Sequence, residues 1–342
     1  MADVTVADQV IGDDWAIWNG DCVEVARGLP DASVHYTIYS PPFPGLFTFS
    51  DDLRDISNCT SFAEFWAHYE FLIEECFRIT KPGRLISIHC MQLPTSKTRD
   101  GYIGLRDFRG EIIRAHVGAG FIYHSEVCIR KDPVQAMQRT KHIGLLHKQL
   151  AKDSALSRMA VADYIVTMRK PGENPEPISG IMDCYFGTET TPHGPIVQES
   201  RMHGRQTLWP GDERYSIAVW QRYAEPVWSD IAPSDVLSRD GVRDEKDERH
   251  ISPLQLTVIR RCVDLWSNEH DVVFSPFAGI GSELVTAVQM GRRAVGAELK
   301  PSYFRQAVLN LKARYVPEET PMEPALFDLA KFDEANAPPP SN

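Results

Sequence analysis

The sequence predicts an α/β protein built on a doubly wound, mostly parallel sheet. Three observations lead there. Short apolar strands alternate with amphipathic helices, two turn-forming loops follow directly on strands, and an acid closes the strand after the second loop.

The elements follow in order. Trp15–Trp18 and Val34–Tyr39 read as buried strands, joined by a segment over Cys22–Leu29 with helical spacing and an Asp-containing turn. Phe62–Ile79 places Phe65, Tyr69, Leu72, Ile73, Cys76 and Phe77 at helical intervals, and Lys81-Pro82-Gly83 is expected to stop it. A strand at Leu85–His89, a helix at Phe108–Val117 and strands at Ile122–Ile129 and Ala162–Met168 complete the first half. Residues 171–249 change character: they are rich in Pro, Gly, Trp and Tyr, lack a clear period and read as an insertion. Regular structure resumes with helix Pro253–Trp266, strand Asp271–Phe274, helix Ser282–Met290, strand Ala294–Glu298 and helix Ser302–Tyr315. The expected organisation is an N-terminal extension at 1–14, a first half at 15–170, the insertion at 171–249 and a second half at 250–315. An acidic, proline-containing tail at 316–342 reads as disordered.

Composition bounds the function. A chain of 342 residues with 43% hydrophobic content can bury an α/β core plus one sizeable insertion. The 7 cysteines are scattered and never spaced Cys-x-x-Cys, so neither a disulfide framework nor a metal site is expected, and a cytoplasmic location is. No stretch reaches the roughly 18 apolar residues of a membrane span. The net charge of −11 opposes a polyanion partner, but the acid lies mainly in Asp240–Glu248 and Glu318–Glu334. Arg130, Lys131, Arg139, Lys141 and Lys148 cluster in a stretch with few acids, which is either a solvated face or an electrostatic footprint.

Both marked loops lie beyond strand ends, where doubly wound sheets bind ligands. In Ser275-Pro276-Phe277-Ala278-Gly279-Ile280-Gly281 the glycines let backbone approach a ligand closely, and the following helix offers free N–H groups. Glu298, 19 residues beyond Gly279, is placed to hold the hydroxyls of a ribose. A dinucleotide site shares these features, but it wants Gly or Ala where this chain has Leu284. A nucleoside without phosphates, such as S-adenosylmethionine, fits better. The other loop, Ser40-Pro41-Pro42-Phe43, could be a plain strand-ending turn. Next to a cofactor loop it gains a use: a stiff turn with no N–H at the prolines presents carbonyls, Ser40 adds an acceptor, and Phe43 adds a stacking face. These suit an exocyclic amine on a planar base.

At these residues the chain resembles the permuted amino-methylating DNA methyltransferases, in which a Ser/Asp-Pro-Pro-aromatic motif precedes the target-recognition region and a Phe-x-Gly-x-Gly motif follows it. Asn19-Gly20-Asp21-Cys22, Arg78-Ile79-Thr80-Lys81-Pro82-Gly83, His250-Ile251-Ser252-Pro253-Leu254 and Gly296-Ala297-Glu298 with Tyr303 extend the likeness over most of 15–315. It departs at Ser275, where Asp is usual, and at Ser282-Glu283, where small hydroxyl residues are usual.

The resemblance implies a seven-stranded, Rossmann-like methyltransferase sheet with a catalytic half, an S-adenosylmethionine-binding half and a target-recognition insertion. It implies that Ser40, Pro41, Pro42 and Phe43 receive the flipped target base. It implies cofactor contacts from Asp21 and Cys22, from His250, Ser252 and Leu254, from Pro276, Phe277, Ala278, Gly279 and Gly281, and from Glu298. Serine at position 40 favours cytosine N4 over adenine N6 as acceptor. The implied partner is double-stranded DNA, with Arg130, Lys131, Arg139, Lys141 and Lys148 on its phosphates. Arg201, Arg205, Gln206, Arg214 and Gln221 would read base edges. A cognate restriction endonuclease, a bacterial or viral source and a monomeric or homodimeric state are left open. Cytosine C5 chemistry is disfavoured because the chain has no Pro-Cys pair, and Cys22 and Cys90 read as buried hydrophobes. Methylation of RNA or a small molecule, a nicotinamide-dependent oxidoreductase and a binding protein without turnover remain as alternatives.

Overall fold

The computed structural model describes residues 6–44, 55–59, 61–134, 136, 147–180, 182–191, 193–200, 202, 204–237 and 253–314. The strands are β1 (Asp8–Ile11), β2 (Trp15–Asn19), β3 (Val34–Tyr39), β4 (Thr80–Met91), β5 (Leu93–Pro94), β6 (Leu105–Arg106), β7 (Ile122–Ile129), β8 (Asp163–Arg169), β9 (Ile196–Ser200), β10 (Gly204–Leu208), β11 (Val227–Trp228), β12 (Val272–Ser275) and β13 (Arg293–Glu298). The α-helices are α1 (Cys22–Gly28), α2 (Phe62–Ile79), α3 (Lys97–Asp100), α4 (Phe108–Gly118), α5 (Lys148–Lys152), α6 (Tyr215–Tyr223), α7 (Leu256–Trp266), α8 (Ser282–Gln289) and α9 (Pro301–Arg314).

Nine strands form one sheet in the order β1-β2-β13-β12-β3-β4-β8-β7-β11. Five of its pairings are parallel, β2 with β13, β13 with β12, β12 with β3, β3 with β4, and β7 with β11. The β-propensity of the alternating apolar residues explains the double-sided core. Tyr36, Ile38 and Val273 face α7, α8 and α9 in one buried cluster, while Val34, Tyr39, Val272 and Phe274 face α1, α2 and α4 in the other. Capping fixes where two of these helices begin. Asp21 Oδ1 accepts from the Val23 and Glu24 N–H groups at α1, and Ser61 Oγ accepts from the Glu64 N–H at α2.

Four differences from the sequence reading have physical causes. The sheet has nine strands rather than seven, because β1 folds back on β2 as an antiparallel hairpin and β11 adds to β7. The hairpin also turns part of the expected N-terminal extension into sheet. Helix α2 ends at Ile79, ahead of Lys81-Pro82-Gly83 as expected, but the strand that follows is longer than the expected Leu85–His89: β4 starts at Thr80 and runs through Lys81-Pro82-Gly83, with Gly83 at φ 74° and a register shift absorbing the irregularity. The region read as lacking a period holds β9, β10 and α6, too short to show one, closed by buried Tyr185, Tyr215, Val219 and Tyr223. Residues 238–249 and the tail from 315 lie outside the described residues.

This region is tied to the sheet through Arg261 of α7, which is 1% exposed. Its guanidinium donates to Asp230 (2.6 Å) and to the Phe186 carbonyl (2.6 Å), and lies against the rings of Trp228, Tyr223 and Tyr185. Removing one partner of a buried pair strands the other's charge. Arg261→Ala is therefore expected to lower the unfolding free energy by about 3–5 kcal/mol in denaturant titration, whereas an apolar replacement of both Arg261 and Asp230 costs much less.

Candidate functional site

Strand β12 connects through α8 to β13 on one side, and its other neighbour β3 connects through α2 to β4 on the opposite side. The order of strands thus reverses between β12 and β3, and the loops leaving them diverge. A cleft opens there, with about 1160 Å³ of empty space including its mouth. Ser40, Pro41, Pro42 and Phe43 line it from β3, and Pro276, Phe277, Ala278 and Gly279 line it from β12. Asp21, Cys22, Leu254 and Glu298 line it as well. The two loops that the sequence separates therefore share one cavity. His250 and Ser252 lie outside the described residues. Asp55, Ile56, Ile280, Ser282, Glu283, Leu299, Lys300 and Tyr303 also contribute to the walls; of these, Glu283 and Tyr303 could have been found from the sequence by their place in the motifs.

The loop after β12 depends on its glycines. Gly279 and Gly281 adopt φ of 55° and 89°, a left-handed backbone that disfavours side chains, and a Cβ on Gly279 would project into open space. Glu298 fixes this loop: its carboxylate accepts from the Gly279 N–H (2.8 Å) and the Lys300 N–H (2.8 Å). Burial outweighs those two bonds and, with the nearby charge of Asp55, raises its pKa to about 7. Glu283, in the first turn of α8, is raised to about 8 by burial, with Glu298 adding to the effect. The hydroxyl of Ser282, on the same turn, is buried and makes no hydrogen bond among the described residues.

At the other loop, Phe43 stands edge-on to Phe108 (6.1 Å) and to His89 (6.4 Å). Ser40 Oγ lies 2.8 Å from His89 Nδ1, and His89 Nε2 lies 3.0 Å from Asp163 Oδ2. Lys131 forms an ion pair with the same Asp163 oxygen. The sequence reading missed His89 and Asp163, and it assigned the Lys131 ammonium to phosphate, whereas Asp163 engages it beside the cleft. Arg130 and Lys148 are exposed, and Arg139 and Lys141 lie outside the described residues. Among the proposed base-reading residues, Arg214 donates to Gln206 (2.8 Å) within the β10–α6 unit, and Gln221 bonds to Gln198; Arg201 lies outside the described residues. Cys22 and Cys90 are buried thiols pushed up by burial, Cys90 to a value unsuited to a thiolate nucleophile.

Glu283 binds its proton more tightly folded than unfolded, so the stability it contributes is full below the ordinary glutamate range and is lost as pH rises to about 8. Glu283→Gln is expected to raise the thermal midpoint more at pH 8.5 than at pH 5, by about 5 °C, in paired melting curves.

The sequence profile of the DNA methylase family matches residues 34–309. The type II methyltransferase M.BamHI of Bacillus amyloliquefaciens is 23% identical over 83% of this chain and 54% of its own length. M.BglII of Bacillus subtilis is 23% identical over 94% of this chain and 74% of its own. The chain thus spans about half the length of the first relative. In fold it is similar to the PvuII cytosine-N4-specific DNA methyltransferase, with a TM-score of 0.58 at 12% identity over 96% of this chain and 95% of that one. It is also similar to TTHA0409 of Thermus thermophilus, a candidate DNA modification methylase in complex with S-adenosyl-L-methionine. There the TM-score is 0.56 at 22% identity over 86% of this chain and 93% of that one. The profile match covers most of the chain, including both cleft loops, and the chain belongs to the DNA methylase family.

Proposed function

We propose that this protein is an S-adenosylmethionine-dependent DNA methyltransferase acting on the exocyclic N4 of cytosine in duplex DNA. One observation carries the reading: the Ser40–Phe43 turn and the Gly279–Glu298 cofactor elements line a single cleft, so an acceptor amine and a methyl donor can meet in it.

The cofactor fits the residues present. Each Glu298 oxygen accepts one backbone N–H and keeps a lone pair for a ribose hydroxyl. The unpartnered Ser282 hydroxyl suits a polar end group, and Gly279 leaves room for close backbone approach. Asp21, Asp55, Glu283 and Glu298 outnumber Lys300 in the cleft, and a bound cation would favour the ionised forms of the raised Glu283 and Glu298. S-adenosylmethionine, when bound, supplies an electrophilic methyl group on a sulfonium sulfur.

The rest is done by the chain. Phe43 offers a ring face to a base extruded from the duplex, an extrusion that costs a few kcal/mol. The Pro41 carbonyl and the Ser40 hydroxyl accept hydrogen bonds from the amine and draw its lone pair out of conjugation with the ring. The reaction is then a direct in-line displacement governed by positioning. Serine at position 40, typical of cytosine-N4 enzymes in the resembled family, supports that base over adenine. Exposed Arg130 and Lys148 are proposed phosphate contacts, and the 171–249 region the sequence reader.

Incubation with labelled S-adenosylmethionine and mixed-sequence duplex DNA, followed by nucleoside digestion and mass spectrometry, is expected to yield N4-methylcytosine. Ser40→Ala is expected to abolish it. N6-methyladenine instead would keep the site and change the base; methylation of RNA alone would overturn the DNA reading. Glu298→Ala is expected to weaken the cofactor about 10- to 100-fold, seen as a lost thermal shift on cofactor addition.

A further inference from the structure

Four neighbouring strands each bring one polar side chain to the same edge of the sheet. Tyr39 pairs with Ile88, which sets Ser40, just past the end of β3, beside His89 near the end of β4. Strand β8 runs the opposite way and begins at Asp163, across from Met91 of β4 and Ile129 of β7. Strand β7 ends there and delivers Lys131. The result is a continuous chain: Ser40 Oγ to His89 Nδ1 at 2.8 Å, His89 Nε2 to Asp163 Oδ2 at 3.0 Å, and Lys131 on Asp163.

With His89 neutral, the chain has one consistent proton assignment. Burial pushes the Asp163 carboxyl up, but the hydrogen bonds from His89 and Lys131 and the Lys131 charge hold it below the ordinary carboxylate range. An ionised Asp163 only accepts, so His89 Nε2 carries the hydrogen. Nδ1 is then a bare lone pair, and the Ser40 hydroxyl donates to it. The Ser40 oxygen therefore turns its own lone pairs toward the cleft. Lys131 keeps the pair with Asp163 neutral overall. Arg109 of α4 and Glu126, within β7, are matched to each other at 2.6 Å.

We propose that His89, oriented by Asp163, takes the proton that the acceptor amine must lose, receiving it through the Ser40 hydroxyl. The amine nitrogen forms its bond to the methyl carbon, and the carbon–sulfur pair leaves with sulfur. The positively charged nitrogen gives a proton to Ser40 Oγ while Ser40 gives its own to His89 Nδ1. The imidazolium formed is held by Asp163 until it releases the proton to solvent. His89 and Asp163 act through Ser40, so they are positioning residues that also provide the exit for the proton. The inference rests on Ser40–Phe43 being the acceptor site.

His89→Asn tests it, because the Asn oxygen can still accept from Ser40 at the place of Nδ1 but cannot hold a proton. Its kcat is expected to fall about 100-fold, with KM for DNA and cofactor within about twofold of wild type. The acid limb of the wild-type pH–rate profile should disappear. Asp163→Asn should give a comparable loss in kcat. In the ligand-free protein, nitrogen-15 NMR of labelled histidine should show His89 with Nδ1 unprotonated, and Asp163→Asn should change that tautomer. A folded His89→Asn enzyme with kcat within about threefold of wild type and its acid limb intact overturns the relay. So does a protonated Nδ1 in the neutral wild-type protein. Wild-type protein that transfers no methyl group to any DNA amine overturns the functional reading, and the relay with it.

Discussion

The parallel pairing of β12 with β3, Val273 against Tyr36 and Phe274 against Thr37, holds the site together. It aligns the carboxyl ends of two strands whose connections run to opposite sides. Without that alignment, the glycine loop and the Ser-Pro-Pro-Phe turn are only two tight bends. With it, both face one cleft, and no further device is needed to bring a donor to an acceptor.

The opposite end of the same strands is a lock. Arg84 pairs with Asp271, donates to the carbonyls of His35 (3.1 Å) and Glu176 (2.8 Å), and so clamps the starts of β3 and β12 together. Burial lowers His35 to about 4, so near neutrality its neutral ring can accept the Val272 N–H at 3.0 Å. Charge at that end is matched pairwise, as stability requires. At the cleft end, carboxyl groups crowd, Ser282 lacks a partner, and Glu283 and Glu298 are pushed up. Such unsettled groups suit a place where a cationic ligand completes the electrostatics.

The region at 171–237 joins the sheet next to the Ser40–His89–Asp163–Lys131 chain. Strand β11 extends the sheet beside β7, whose end carries Lys131, and Trp228 of β11 stacks on the buried Arg261. A region proposed to read DNA sequence is thus attached through a two-residue strand to the strand that supplies the last member of the Ser40–His89–Asp163–Lys131 chain. No helix among the described residues is long and apolar enough to cross a membrane.

Most elements and both cleft loops were legible in the chain before any packing was known. Val34–Tyr39, Phe62–Ile79 and Ile122–Ile129 form where their periodicity places them, because strand and helix patterning is a local property. Much of the cleft lining was legible for the same reason: Gly279 and Glu298 belong to one β-α-β unit in continuous sequence, whereas Gly281, named with them, lies against Ala307 and does not line the cleft. The nine-strand count and the place of His89 emerged only on folding. Ser40 and His89 are 49 residues apart, and His89 and Asp163 are 74 apart. His89 and Asp163 are lone polar residues near strand ends, with no motif of their own. Only the pairing order β3-β4-β8-β7, set by long-range packing of the sheet, puts them in line.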